Sequence, residues 1–143
     1  EYIDHYFLRH SGVRAYLDGV IDQARQRGYV TTLMNRRRYL PEIKATNANV
    51  RKFAERTAIN TPIQGTAADL IKIAMIRVAA AIDHHKMQSR MILQVHDELV
   101  FEAPEGEVPH LERLVRQEME GVISLKVPLK VDIHSGKNWR EAH

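Results

Sequence analysis

The chain has 143 residues, no cysteine, 44% hydrophobic residues and a formal charge of +3 from 21 basic and 18 acidic side chains. A chain of this size buries one core and hardly two. It has no apolar run near the roughly 18 residues that span a bilayer and no secretory leader pattern; without cysteine, disulfides, thiol catalysis and cysteine-held zinc are excluded. The expectation is a cytoplasmic protein with no membrane partner.

Taken in chain order, residues 1–28 read as helices. Apolar residues recur at helical spacing from Tyr2 through Tyr16, Leu17, Val20 and Ile21 to Ala24, with Ser11-Gly12 dividing two helices and Gly28 ending the second. Residues 29–43 read as a basic hairpin in which 29–33 pairs with 38–43 across Asn35-Arg36, since asparagine tolerates the left-handed turn conformation. A long helix follows over 49–84, with a kink or break at Pro62 because proline removes a backbone donor and crowds the preceding turn. Beyond Pro62, Ala67, Leu70, Ile71, Ala74, Val78 and Ile82 form a core-facing stripe. Residues 91–103 read as a second hairpin, 107–123 as an amphipathic helix and 127–133 as a strand alternating Val127, Leu129, Val131 and Ile133. With no repeat, low-complexity tract or linker in view, the layout suggests a single α+β unit over 1–143.

The small net charge hides a segregation. Arg25 to Arg56 holds nine basic residues against Glu42 and Glu55, whereas Asp97 to Glu120 holds eight acidic residues against Arg113 and Arg116. Basic blocks bind polyanions by releasing counterions, although many are only solvated faces. Arg36, Arg37 and Arg38 fall at the expected hairpin tip. Arg56, Asn60 and Gln64 are spaced i, i+4, i+8 and line one helical face. Such a stripe can follow a nucleic-acid backbone and the acceptors shared by all base pairs in the minor groove. It would then test base-pair shape without reading sequence.

The most telling string is Gln94-Val95-His96-Asp97-Glu98-Leu99-Val100, which puts ionisable residues between the apolar runs 91–93 and 99–101. That pattern makes a tight hairpin with an acidic tip. Asp-Glu pairs at such tips are often mere solvated turns, and carboxylates withdrawn from water need a metal, a cation or donors. The string resembles the motif C hairpin of family A DNA polymerases, the bacterial DNA polymerase I type. The segment from Arg56 to Asp69 is similar to the palm helix that precedes that hairpin. The basic hairpin Tyr29 to Pro41 and the ending Gly136-Lys-Asn-Trp139 fit the same family in the same order. One departure is Asn35, where many relatives carry glycine.

The resemblance implies an incomplete polymerase palm, an antiparallel sheet of the motif C hairpin plus the C-terminal strand, packed on long helices. It also implies template-directed DNA synthesis in replication and repair, by nucleotidyl transfer from a dNTP to a primer 3′-hydroxyl. The partners implied are primer–template DNA, dNTP and the remaining upstream part of the polymerase, in a bacterial cytoplasm at the nucleoid. The cofactor would be two Mg²⁺ ions, with Asp97 as the metal ligand supplied here and another carboxylate from outside this chain. Asp97 and Glu98 would be the catalytic pair, with Glu98 acting through water or the local field. Arg56, Asn60 and Gln64 carry over as primer–template contacts, and Gln94 and His96 as contacts near the primer end in the same minor groove. Arg36, Arg37 and Arg38 would meet DNA phosphates.

The family's motif A carboxylate and fingers helix match nothing in these residues. The expectation is therefore a C-terminal segment, ending at the family's natural terminus and inactive alone. Asp132 is expected to face outward from its strand, and Asp69 to be a helix-surface or capping partner. A phosphate-binding glycine loop, a histidine zinc cluster and a hydrolase elbow are all missing, and 6% aromatics is too few for a base-stacking platform. The alternative is a non-catalytic basic DNA-binding module, in which Asp97 would have no role.

Overall fold

The computed structural model describes residues 2–142. Its elements, in order, are helices α1 (Tyr2–Arg9) and α2 (Ser11–Arg27), strands β1 (Tyr29–Thr31) and β2 (Arg37–Tyr39), and helix α3 (Ala48–His84). Strands β3 (Arg90–Val95) and β4 (Glu98–Glu102) and helices α4 (Val108–Glu120) and α5 (Trp139–Ala142) complete it. The fold is α+β, with helices and two separate two-stranded antiparallel sheets, β1-β2 and β3-β4. Where the sequence suggests one compact unit, the structure has two, Glu1–Asp69 and Leu70–His143.

The first unit is built on small residues. Ala24 of α2 and Ala58 of α3 are wholly buried, and with Val30, Leu40, Ile43 and Ala54 they form its core. Alanines at these positions let backbones approach closely while losing no side-chain entropy. Helix α2 stops at Gly28, whose φ of 77° is left-handed, and its N–H returns to the Ala24 carbonyl. Gly28 then accepts from the Leu40 N–H at 2.8 Å, so the helix end and the hairpin share a backbone bond. The hairpin pairs Tyr29 with Tyr39, Val30 with Arg38 and Thr31 with Arg37. Between Thr32 and Arg36 it turns through Leu33, Met34 and Asn35, with the Asn35 N–H on the Thr32 carbonyl and Asn35 at φ 60°. This is the three-residue loop in which a turn is followed by a left-handed residue.

Helix α3 begins at an Asn47 cap, whose side-chain oxygen accepts from the N–H groups of Asn49 and Val50 at 2.9 and 3.3 Å. It then runs without a break through Pro62 to His84, so the break that proline suggests does not occur. Proline leaves the Ala58 carbonyl without its usual donor. The turns around it are braced instead by hydroxyls, Thr61 donating to the Thr57 carbonyl at 2.7 Å and Thr66 to the Pro62 carbonyl. Thr61, Thr66 and Asp69 are all buried on this stretch, so packing holds the helix across the weak point.

Gly65 lies on the same buried side. A Cβ there would come within 2.7 Å of the Thr32 methyl group, because the hairpin loop presses directly on the helix backbone.

In the second unit Val78 and Ile82 pack with Leu111, Leu114 and Val115 of α4, joined by half-buried Met91, Phe101 and Ile133. Burying Val78 completely contributes roughly 1.5–3 kcal/mol relative to leaving it in water. The link from α3 to β3 is pinned by Glu107, whose carboxylate accepts from Gln88 N–H (3.0 Å), Ser89 N–H (2.9 Å) and the Ser89 hydroxyl (2.5 Å). The Gln88 N–H first, then the Ser89 groups, hold the Glu107 carboxyl below the usual carboxylate range. Helix α4 stops ahead of Gly121, short of the sequence-based boundary at 123.

The strand expected over 127–133 does not form, so the C-terminal strand of the expected sheet is absent among the described residues. Its alternation is real, since Leu129, Val131 and Ile133 are half-buried while Lys130 and Asp132 are exposed. What it lacks is a ladder partner. The Val131 N–H goes to the Glu120 carboxylate at 3.0 Å and its carbonyl to Arg116 at 2.5 Å, both on α4. Side chains satisfy the backbone that a neighbouring strand would otherwise satisfy.

Two outcomes follow. Gly65→Ala gains about 1 kcal/mol of helix propensity against an overpacking cost of about 1–3 kcal/mol at the Thr32 methyl. The variant should melt below the wild type; a higher melting temperature would mean the hairpin does not seat there. Glu107, with its carboxyl depressed in the folded state, stabilises above the unfolded carboxylate range. That contribution disappears as pH falls through its folded value. Denaturant titrations from neutral to acid pH should show Glu107→Gln less stable at neutrality and with a shallower acid decline than wild type.

Candidate nucleic-acid interface and acidic hairpin tip

In the first unit, α3 has two opposed faces. Ala54, Ala58, Thr61 and Asp69 are buried, whereas Arg56, Asn60 and Gln64 are all exposed. Residues four apart drift by about 40° per step around a helix, so the three polar side chains share one narrow arc. Beside Arg56 lies an open depression of about 510 Å³, lined by Ile21, Asn49, Lys52, Glu55, Arg56 and Ile59. Its acidic member is engaged, because Glu55 pairs with Arg25 at 2.7 Å. The Arg25 guanidinium is accordingly held above its ordinary value, chiefly by that hydrogen bond.

The three arginines of the hairpin differ sharply. Arg36 donates from Nε to Asp69 Oδ1 at 2.7 Å and from Nη2 to the Gly65 carbonyl at 3.1 Å, so its fork grips α3. Arg37 lies over the Tyr29 ring, 4.7 Å from its centroid, and a hydrogen bond with Tyr39 raises its pKa. Arg38 is exposed, and among the described residues no such partner engages its guanidinium. The tip's remaining polar groups turn inward. Thr32 Oγ1 accepts from the N–H groups of Met34 and Arg36, both at 3.2 Å, and the Leu33 N–H reaches Thr66 Oγ1 at 3.0 Å.

In the second unit, β3 and β4 form the hairpin expected around the acidic string. Val95 pairs with Glu98 to close it, leaving His96-Asp97 as a two-residue turn. His96 has φ 52°, a left-handed backbone that glycine and asparagine adopt most readily in two-residue hairpin turns. Histidine tolerates left-handed backbone better than most side chains. The Gln94 side chain holds the bend, its Nε2 donating to the His96 carbonyl at 2.7 Å. A bulge between Met91 and Leu93 leaves Ile92 as an extra residue, 57% exposed.

Gln94, His96, Asp97 and Glu98 are all exposed. The two carboxylates are therefore solvated at this tip, and the burial penalty that an acidic hairpin would otherwise raise does not arise within these residues. Their hard oxygens are the donor type that Mg²⁺ takes. The number falls short: among the described residues no group of three or more His, Asp or Glu side chains could hold a metal. Asp132 is exposed, as its place in the alternation suggests.

Asp69, expected at a helix surface or cap, is instead buried and paired with Arg36. Gly65 was a legible clue to this seating. A glycine inside a long helix costs about 1 kcal/mol and usually marks a close approach. Glu107 had no comparable signal, because its partners, the Gln88 and Ser89 N–H groups and the Ser89 hydroxyl, lie 18 and 19 residues away.

Among the described residues no helix is long and apolar enough to cross a membrane. Residues 1–141 match the model of DNA polymerase family A. The chain is 54% identical over 142 residues to DNA polymerase I of Geobacillus stearothermophilus and 55% identical over 141 residues to that of Bacillus subtilis (strain 168). In each case the match covers 99% of this chain and 16% of the relative, so the chain spans about a sixth of their length. Among solved structures it is similar to the POL domain of Pol1 from M. smegmatis in complex with DNA primer-template and dNTP. That match has a TM-score of 0.95 and 53% identity, over 98% of this chain and 25% of the other.

Proposed function

Since the chain belongs to DNA polymerase family A, we propose that it supplies the acidic hairpin and part of the duplex-binding surface of an enzyme that extends a DNA primer on a template. The observation that carries this reading is Asp97, exposed at a two-residue turn whose backbone is fixed by the Val95–Glu98 pair and the Gln94 side chain. A carboxylate held so, rather than on a mobile loop, keeps its place while DNA moves past it.

The reaction is attack of a primer 3′-hydroxyl oxygen on the α-phosphorus of a dNTP. A new P–O bond forms, the bond to the β-phosphate's bridging oxygen breaks, the hydroxyl proton is lost and pyrophosphate leaves. Magnesium, when bound, supplies charge neutralisation at the phosphates and lowers the pKa of the attacking hydroxyl. Asp97 is the metal ligand from this chain. Glu98 shapes the field or acts through water, since adjacent residues leave a strand on opposite faces.

Arg56, Asn60 and Gln64 track the minor-groove side of the primer–template duplex. Gln94 and His96 approach the primer end. Of the basic tip, Arg38 is free to meet a phosphate. Arg37, stacked on Tyr29, presents its charge from a fixed position. On this reading the segment is inactive alone and takes the rest of its metal site and its nucleotide-binding groups from the remaining polymerase chain, since Asp97 and Glu98 supply only two carboxylates.

In the intact polymerase, Asp97→Asn should lower kcat for primer extension on the order of a thousandfold, with DNA affinity little changed. Normal extension by this variant at saturating DNA would refute the catalytic reading and leave a non-catalytic DNA-binding module. Arg38→Gln should weaken DNA binding evenly across sequences and reduce the salt dependence by about one phosphate contact. An unchanged salt slope would remove Arg38 from the interface.

A further inference from the structure

The polar stripe of α3 straddles a proline. Asn60 precedes Pro62 and Gln64 follows it, at the point where the helix lacks one backbone bond. The direction of the helix beyond a proline is normally its softest feature. Here the turn after Pro62 is gripped from one side by the β1-β2 loop. Arg36 holds both the Asp69 carboxylate and the Gly65 carbonyl, Leu33 N–H holds Thr66 Oγ1, and the Thr32 methyl sits against Gly65 where no Cβ intervenes. Asp69 is 8% exposed and Thr32 4%, so this is a packed junction.

We propose that Arg36 is a positioning residue: with Asp69 it locks the basic hairpin onto the turn of α3 that carries Gln64. The lock keeps Gln64 in line with Asn60 and Arg56. Arg36 therefore contributes to DNA binding through geometry rather than by neutralising a phosphate, although its neighbours in the triplet look equivalent in sequence. Arginine suits the position because its planar fork serves a carboxylate and a carbonyl together, which a lysine ammonium does as a point charge only.

The inference rests on the DNA-binding reading of the α3 stripe, and its test separates the two. In the intact polymerase, KM for primer–template, kcat and the slope of log affinity against log salt are measured for Arg36→Gln, Arg36→Lys, Asp69→Asn and the double variant Arg36→Gln/Asp69→Asn. Exchange of the Leu33 amide is followed in the same proteins. The single variants Arg36→Gln and Asp69→Asn should each raise KM for DNA on the order of fivefold, the range of a partly exposed charged hydrogen bond. They should leave kcat at saturating DNA and the salt slope unchanged. The double variant should be no worse than the worse single one, and Arg36→Lys should fall between wild type and Arg36→Gln. Leu33 amide exchange should speed up in both single variants.

Asp69→Asn is the decisive arm. Removing a negative charge near a phosphate track would tighten binding by electrostatics alone, whereas loss of the lock weakens it. A salt slope reduced by about 0.9 in Arg36→Gln, together with unchanged or tighter binding by Asp69→Asn, would make Arg36 a phosphate ligand and overturn the inference. Unaltered Leu33 exchange in both variants would also overturn it. If substitutions at Arg56, Asn60 and Gln64 leave DNA binding intact, the stripe reading fails instead, and the exchange data still judge the lock.

Discussion

The first unit depends on a close approach: the Thr32 methyl group of the β1-β2 loop lies against α3 where Gly65 presents no side chain. Once that approach is made, one side of α3 must carry small or inward-bonding residues. Ala54, Ala58, Thr61 and Thr66 meet that demand and are buried. The opposite side is then free of packing duty, and there the chain places an arginine, an asparagine and a glutamine in one arc. Division of a helix into a close-packed face and a recognition face needs no large hydrophobic residue. This explains why the part of α3 before Asp69 has a core of alanines and threonines while the part after it buries Val78 and Ile82.

Both hairpins set their tips through a left-handed residue that is not glycine, Asn35 in one and His96 in the other. In each case a side chain steadies the backbone nearby, Thr32 through its hydroxyl and Gln94 through its amide. The comparison clarifies what each tip presents. The basic loop turns most of its polar groups toward its own helix and leaves Arg38 outward. The acidic turn leaves both carboxylates in solvent.

Much of this was legible in the sequence because it depends on short-range rules. The helix end at Gly28, the acidic hairpin and the amphipathic α4 follow from periodicity and turn chemistry over a few residues. The exposed stripe of Arg56, Asn60 and Gln64 is a matter of helical spacing. The strand at 127–133 shows where such rules stop. Alternation reports which side chains face the core, and Leu129, Val131 and Ile133 do so, yet a strand is defined by a partner, and Glu120 and Arg116 take that role with their side chains. The Arg36–Asp69 pair was illegible for the same reason, since residues 33 positions apart meet only after the hairpin has folded back. At Pro62 the helix continues without the break that proline allows, since buried Ala58, Thr61 and Thr66 on either side hold it where one backbone bond is lost.

The two-residue turn at His96-Asp97 has a kinetic consequence. Its closing pair, Val95 and Glu98, is separated by so little chain that almost no loop entropy opposes their meeting. Hairpins of this kind close in about 1–10 μs, far ahead of assembly steps that join distant segments. The exposure of Asp97 is thus encoded by the most local strand pairing among the described residues. The pairing can start before the rest of the unit forms, and Met91 and Phe101 then secure it against Leu111, Leu114 and Val115.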